Sequence, residues 1–129
     1  MDNTSAAMKK NLICNKDGFT LIELLVVCAI VGILVAIAIP QFATYRARGF
    51  DTQMKSDVKN VAIAMEAYYS ERHVYPPTPA DLANFGFQNT QGVTLAINVT
   101  TPTTFTVTGT KPGGTQPSFT YDSVTGQTN

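Results

Sequence analysis

The sequence predicts an α+β fold in which one long N-terminal α-helix packs against a small antiparallel β-meander of three to four strands. Apolar residues first form an uninterrupted run and then recur every three to four residues, and both patterns indicate a helix. From Gly92 onward apolar and polar residues alternate, as in strands with one buried face. The 129 residues suffice for one domain, and nine basic side chains balance nine acidic ones. This balance argues against the positive field of a nucleic-acid-binding protein.

The first half of the predicted helix is apolar on every side. Residues 24–39 contain no charged side chain, and extending the run back to Phe19 adds only Thr20 and Glu23 as polar interruptions. Such a helix spans about 30 Å, the thickness of the hydrocarbon core of a bilayer. A buried helix of a soluble protein is the less favoured interpretation, because core helices rarely stay apolar all round for this length.

The segment ahead of the apolar run is polar and carries Lys9, Lys10 and Lys16, which predicts a cytoplasmic N-terminus. A secretory signal peptide is disfavoured, because the apolar run is too long and no small-x-small cleavage site follows it. The sequence leaves the start open between Met1 and Met8.

The two cysteines, Cys14 and Cys28, lie in the polar segment and in the apolar run. Neither segment would face an oxidising compartment, so we expect no intrachain disulfide. Cys28 is interpreted as a small buried apolar residue.

The second half of the helix is predicted to be amphipathic. Its apolar stripe consists of Phe50, Met54, Val58, Val61, Met65 and Tyr68, widened by Ala62 and Tyr69. Its polar residues are expected mostly off the stripe: Lys55, Asp57, Lys59, Asn60, Glu66 and Glu71. One helix is thus predicted from about residue 19 to about residue 72. Pro40 should kink it or break its hydrogen bonding, and Gly32 and Gly49 are weak points.

Beyond the helix, Pro76 and Pro77 prevent its continuation. Residues 78–86 predict a short helix in which Thr78 is the N-cap, Asp81 bonds back in a capping box and Gly86 closes the C-terminus. Three strands are predicted within residues 93–99, 104–108 and 118–122. Residues 123–129 are left open between a fourth edge strand and a frayed end.

The stretch "GFTLIELLVVCAIVGILVAIAIP" at residues 18–40 resembles the N-terminus of type IV pilins and of the related pseudopilins. The shared features are a Gly-Phe junction at Gly18 and Phe19, Glu23 at the fifth mature position, the long aliphatic run, Gly32 and Pro40. The resemblance implies a prepilin leader at residues 1–18, a transmembrane and filament-core half-helix at 19–40, and a globular domain at 41–129. The last would contain the amphipathic half-helix at 41–73, an αβ-loop at 74–92 and the meander at 93–129.

The resemblance also implies a maturation route. A prepilin peptidase would cut between Gly18 and Phe19 and methylate the new Phe19 amine. The chain would wait in membrane lipid as a single-pass inner-membrane protein with its C-terminus outside. An assembly ATPase, acting through an inner-membrane platform, would then build a homopolymeric filament on the cell surface. Two departures from the family pattern are Asp17 before the cut and the lack of a cysteine pair in the C-terminal region.

Glu23 is the residue on which this interpretation depends. A carboxylate at bilayer depth costs roughly 2.5–3.5 kcal/mol, and a buried one needs a partner. The resemblance implies that the partner is the Phe19 amine of a neighbouring subunit. Thr20 either adds a hydroxyl bond near that amine or is an ordinary helix N-terminal residue. Pro40 either lets the helix melt locally during packing or marks the exit from the membrane.

Other functions find less support in the sequence. His73 is the only histidine, and no nucleophile–base pair, zinc cluster or phosphate loop is recognisable, so we expect neither an enzyme nor a cofactor. Asp81 and Asp122 are the only acids after the long helix and make at most a weak calcium site. The family resemblance implies that the major type II secretion pseudopilin binds calcium near its C-terminus through several acids, so their lack here favours a pilus subunit over that pseudopilin.

A minor pilin, a signal-anchored periplasmic domain and an electron-conducting filament remain alternatives. The conducting filament would use the aromatic residues along the helix: Phe19, Phe42, Tyr45, Phe50, Tyr68, Tyr69 and Tyr75. The sequence does not choose among motility, adhesion, DNA uptake and secretion.

Overall fold

The computed structural model describes residues 18–129. The predictions that concern residues 1–17, among them the basic leader, Cys14 and Asp17, lie outside this range. Helix α1 comprises Leu21–Arg72, and a 3-10 helix follows at Pro79–Phe85. The strands are β1 (Thr94–Thr101), β2 (Thr104–Thr110), β3 (Ser118–Asp122) and β4 (Gln127–Thr128). They form one antiparallel sheet in the order β1-β2-β3-β4. This confirms the predicted helix and meander and decides for a fourth strand.

The chain divides into two compact units, with the boundary between Ala36 and Ile37. The described part of the first unit, residues 18–36, is the beginning of α1 with the three residues before it. Every residue in it is exposed in the isolated chain. Cys28 is among them, so the interpretation of this residue as buried does not hold for a single copy.

The second unit contains a hydrophobic core between the later turns of α1 and the sheet. Met54, Val58, Val61 and Met65 of the predicted stripe are fully buried. Phe105, Val107 and Phe119 face them from β2 and β3. The stripe prediction is thereby confirmed in its centre, while Phe50 and Tyr68 at its two ends are half-buried. In β1 the alternation fades toward the end of the strand, where Val99 is exposed.

A glycine lets the helix and the sheet approach closely. A Cβ atom on Gly109 of β2 would lie 2.7 Å from Cγ2 of Val58 and 3.5 Å from the backbone oxygen of Met54. Val58 is β-branched and has no exposed surface, so it has little room to move. Gly109 is therefore required by packing rather than by backbone conformation.

The segment between α1 and β1 closes one side of the core. Leu82 and Phe87 are buried, and the rings of Phe85 and Tyr68 are 5.0 Å apart. The short helix is of the 3-10 type, and the predicted capping box is wrong in detail. The Thr78 hydroxyl donates to Oδ2 of Asp81 at 2.6 Å and makes no bond to the helix backbone. Gly86 ends the helix in the left-handed region, with φ of 80°, as predicted.

An aromatic cluster fills the part of the core beside the last turns of α1. The ring of Tyr75 lies 4.5 Å from that of Tyr69 and 4.7 Å from that of Phe105, and Tyr121 follows at 6.2 Å from Phe105. The Tyr75 hydroxyl donates to Oε1 of Glu66 at 3.0 Å. Burial, aided by this carboxylate, raises the pKa of Tyr75 to about 12. The phenol is thus held in its neutral, donating form.

Candidate functional site

Thr20 and Glu23 form a hydrogen-bonded unit at the start of α1. The backbone N–H of Thr20 donates to Oε2 of Glu23 at 2.7 Å, and the Thr20 hydroxyl donates to the same oxygen at 2.8 Å. In return, the Glu23 N–H donates to the Thr20 hydroxyl oxygen at 3.2 Å. Because α1 begins at Leu21, Thr20 occupies the N-cap and Glu23 the third helical position. This is a capping box, which satisfies backbone donors that a helix start leaves unpaired.

The capping box explains part of the role of Glu23 within a single chain. The spacing T-x-x-E before an apolar run is its signal, and sequence reasoning overlooked it in favour of the membrane pattern. Only Oε2 is engaged by Thr20, so Oε1 remains available to accept a further hydrogen bond. The carboxylate is also exposed, and a cation from outside the chain can reach it.

The Gly18–Phe19 junction lies just before this capping box. Gly18, Phe19 and Thr20 are outside the helix, and all three are exposed. The Phe19 side chain keeps 89% of its surface accessible, and a Cβ atom built on Gly18 would meet no atom within 4 Å. Such an open, non-helical peptide bond is accessible to a protease.

The surface that follows the junction is apolar over its whole circumference. Each side chain in the following list is about half exposed or more in the isolated chain: Leu21, Ile22, Leu24, Leu25, Val26, Val27, Ile30, Val31, Ile33, Leu34 and Val35. Within residues 18–129, α1 is the one helix that is long and apolar enough to cross a membrane, judged by length and composition. Complete burial of a fully exposed side chain of this kind contributes roughly 1.5–3 kcal/mol, and about half of that remains to be gained at each position, so the surface as a whole favours lipid or a protein partner over water.

Helix α1 runs through Pro40 without an interruption. Proline has no N–H, so the carbonyl four residues earlier loses its helical partner. The Thr44 hydroxyl donates to the Pro40 carbonyl at 3.1 Å, an additional local bond in this turn. The predicted roles of Pro40, as a kink or as a site of local melting, stay predictions.

Two buried aspartates of α1 each hold a loop of the second unit. Asp51, which is 9% exposed, accepts hydrogen bonds from the backbone N–H of Thr115, at 2.9 Å, and from the Thr115 hydroxyl. The hydroxyl bond is the main reason why the pKa of Asp51 lies below its ordinary value. A Cβ atom on Gly114 would lie 2.6 Å from Oδ1 of Asp51, so the loop approaches the carboxylate closely.

Asp57 does the same for the loop that precedes β1. Its Oδ2 accepts from the Thr90 N–H at 2.9 Å, and its Oδ1 accepts from the Thr90 hydroxyl at 2.8 Å. Asp57 is 2% exposed, so the expectation that it lies off the stripe is wrong. The signal was available, because Asp57 is three residues after Met54 and four before Val61 and hence shares their face. We call these two contacts the carboxylate clamps.

The remaining polar candidates have local partners. Oδ2 of Asp81 accepts from Thr78, and Oδ1 of Asp122 accepts from the Val124 N–H at 2.7 Å. No group of three or more His, Cys, Asp or Glu side chains that could hold a metal is found in residues 18–129. His73 follows the end of α1 with φ of 56°, stacks edge-on against Tyr69 and is exposed.

Comparisons with known families agree with the geometry at the N-terminus. Residues 13–39 match the family model described as the prokaryotic N-terminal methylation motif. The chain is 33% identical over 102 residues to the type IV wide pilus major component PilA4 of Thermus thermophilus, and the match covers 78% of each chain.

Two further relatives match over shorter stretches. The type IV major pilin protein PilA of Myxococcus xanthus is 43% identical over 76 residues, which are 58% of this chain and 33% of that protein. The type II secretion system core protein G of Pseudomonas aeruginosa is 39% identical over 67 residues, which are 52% of this chain and 47% of that protein. The matched part of this chain thus spans a third of the length of the Myxococcus xanthus pilin and about half of the length of the Pseudomonas aeruginosa protein.

A solved structure extends the likeness to the fold. The structure of a type IV pilin protein from Thermus thermophilus superposes with a TM-score of 0.50 at 29% identity. The match covers 61% of this chain and 94% of that one, so nearly all of the solved pilin has a counterpart in the fold described above.

Proposed function

Because the chain belongs to the type IV pilin family, a family of structural proteins, we propose that it is a pilus subunit that matures by cleavage and polymerises through its apolar half-helix. The proposed cleavage lies between Gly18 and Phe19, and the proposed methylation is on the Phe19 amine. The exposed, non-helical state of this junction supports the assignment. The N-terminal apolar helix fits a membrane anchor before assembly and a surface filament after it.

The observation that carries the proposal is the all-round exposure of the apolar half-helix beside a carboxylate that can accept another bond. Nothing among the described residues covers this surface, and Oε1 of Glu23 takes no part in the capping box. Cleavage creates a positive charge, the Phe19 α-amine. We propose that the amine of a neighbouring copy pairs with Glu23 when the apolar half-helices come together and exclude water.

The proposal requires partners that act on the chain. A prepilin peptidase would make the cut and add the methyl group. An inner-membrane platform and an assembly ATPase would then lift the subunits out of the lipid. The globular unit at residues 41–129, which would face outward, supplies the filament surface. The domain boundaries predicted at residues 18, 40, 73 and 92 belong to this proposal.

The decisive test separates the charge of Glu23 from its capping bond. Glu23→Gln keeps an acceptor for the Thr20 hydrogen bonds but removes the charge, whereas Glu23→Ala removes both. We expect both variants to insert into the membrane and both to lose filament assembly, because a buried amine without its carboxylate costs about 3–5 kcal/mol. The measurement is the amount of sheared surface filament relative to the membrane pool of the same protein.

Normal assembly of Glu23→Gln together with failure of Glu23→Ala would show that capping alone matters and would refute the pairing. Mass spectrometry of the sheared wild-type filaments supplies the control. It should find a chain that begins at methylated Phe19, and an intact leader would refute the maturation route.

A type II secretion pseudopilin is the second candidate, supported by the partial match to the Pseudomonas aeruginosa core protein G. The longer match to the Thermus thermophilus pilus component favours the pilus subunit. Abundance in the sheared filaments distinguishes a major from a minor subunit. For the electron-conducting alternative, the clustering of Tyr69, Tyr75, Phe105 and Tyr121 in the core is fully accounted for by packing. A measured conductivity of purified filaments decides that question.

A further inference from the structure

Charged side chains are segregated along the second unit. The part of α1 that begins this unit carries four exposed cations. Lys111 lies beside the same turns, since its Nζ is 2.7 Å from Oε1 of Gln53. The four are Arg46, Arg48, Lys55 and Lys59. The later part carries the acids Glu66, Glu71 and Asp81, with Arg72 paired to Glu71 at 3.6 Å. The chain thus has a basic stretch, residues 46–59, followed by an acidic stretch, residues 66–81.

Because of the carboxylate clamps, the basic stretch exposes cations but no acids. The two acids within the basic stretch are Asp51 and Asp57, and both are buried and bonded to loop threonines. They are therefore not available to pair with a cation outside the chain. What the basic stretch offers to a neighbour is its exposed lysines and arginines.

Four of these charges share one side of the helix. With about 100° per residue, Arg48, Lys55 and Lys59 lie within about 40° of one another around the axis, and Glu66 falls in the same sector. Ile63 lies between the two stretches and keeps 69% of its surface exposed. We call this side the charged face.

Two copies that insert into one membrane from the same side run parallel. At equal height, copies that meet through the charged face would place its three cations beside the same three cations and Glu66 beside Glu66, which is repulsive. An axial offset of roughly 10–27 Å would instead place Glu66 of one copy beside Lys59, Lys55 or Arg48 of the other, since each residue advances the helix by about 1.5 Å.

We infer that the charged face docks against a second copy of this chain at an axial offset, with the cations Arg48, Lys55 and Lys59 of one copy beside Glu66 of the next. The inference rests on the proposed filament and adds a contact between globular units to it. The same pattern opposes pairing of copies at equal height in the membrane. Because surface charges act over only about 8 Å at physiological salt, the pattern selects among close contacts rather than drawing distant copies together.

The test is disulfide cross-linking in intact cells, with the full chain and a Cys28→Ala background. One chain carries Ser56→Cys in the basic stretch, and a co-expressed chain carries either Ile63→Cys or Ser70→Cys. All three positions are exposed and lie within about 40° of one another around the axis. We expect at least one mixed pair to cross-link about threefold or more above the Ser56→Cys chain alone, a ratio within reach of surface charge pairs.

Charge reversal supplies the second arm. Lys59→Glu alone and Glu66→Lys alone should each weaken the mixed cross-link, and the two together should restore it. Tyr75→Phe is the matched control for Glu66→Lys, because it removes the Tyr75–Glu66 hydrogen bond and leaves the charge in place. Raising the salt concentration should weaken the mixed cross-link between chains that keep the wild-type charges at residues 59 and 66.

The two levels of the proposal fail in different ways. If filaments form and the Ser56→Cys chain cross-links to itself as well as the mixed pairs do, the offset contact is refuted and the filament stands. If the combined reversal behaves like the single changes, charge pairing is refuted. If the wild-type chain forms no filaments, the proposed function itself is refuted, and the contact falls with it.

Discussion

One helix passes through both units of this chain, and its two parts are stabilised in opposite ways. Within residues 18–36 no residue is buried, whereas the later turns of α1 bury eight. The difference follows from the spacing of apolar residues. A stripe that recurs every three to four residues has its partner within the chain, and here that partner is the sheet. Apolar residues on every side have no such partner, so lipid or other copies must supply one.

The acids of the two parts differ in the same sense. Glu23 is exposed and bonds to a residue three positions away. Asp51 and Asp57 are buried and bond to residues 64 and 33 positions away. In the first unit the carboxylate organises a helix start, and in the second the carboxylates fix the tertiary structure. Substitutions that act on one part and spare the other should therefore be obtainable.

The largest effect is expected from Phe105→Ala. Phe105 is 1% exposed and touches Tyr75 and Tyr121, so its truncation should lower the free energy of unfolding by about 3–5 kcal/mol. The measurement is thermal or denaturant unfolding of the full chain in detergent, followed by near-ultraviolet circular dichroism.

Val31→Ala is the matched change in the first unit. Val31 is 51% exposed in the isolated chain, so the unfolding of the sheet should be unaffected within about 0.5 kcal/mol. Equal destabilisation by the two substitutions would contradict the division into an internally and an externally stabilised part.

A smaller and pH-dependent effect is expected from Asp51→Asn. The pKa of Asp51 is lowered in the folded chain, so the ionised carboxylate stabilises the fold above its ordinary pKa of 3.8. That stability is lost as the pH falls through the lowered, folded-state pKa. At neutral pH the substitution should cost about 1–3 kcal/mol, since it removes the acceptor for the Thr115 N–H or hydroxyl.

The comparison to make is the slope of stability against pH between about pH 5 and pH 2. The wild type should lose stability more steeply than Asp51→Asn over this interval. Parallel slopes would mean that the clamp at Thr115 does not depend on charge.

The smallest effect is expected from Thr20→Val, which keeps the shape of the side chain but removes the hydroxyl of the capping box. Loss of an N-cap costs about 1 kcal/mol, and it should speed hydrogen exchange at the first amides of α1. Thr20→Ser should exchange like the wild type. Unchanged exchange in Thr20→Val would show that Glu23 alone secures the helix start.

The sequence predicted the architecture well where periodicity was unambiguous. The stripe from Met54 to Met65 and the alternation in β2 each have one physical solution, burial of one face. It predicted polar contacts poorly. Asp57 was predicted to lie off the stripe because it is charged, although its position between Met54 and Val61 puts it on the buried face. Asp51 was not singled out. A threonine 33 or 64 residues away leaves no local signature, so the clamp partners could not be predicted.

The carboxylate clamps have a mechanical consequence. The chain from Ile37 to Asn129 contains no cysteine, so no covalent cross-link limits how far it can be pulled out once its core yields. Fully extended, this stretch would reach about 300 Å. Hydrogen bonds to a carboxylate break under load and form again when the load is removed. A pulling force on this unit would therefore meet the carboxylate clamps and the apolar core, with no covalent stop behind them.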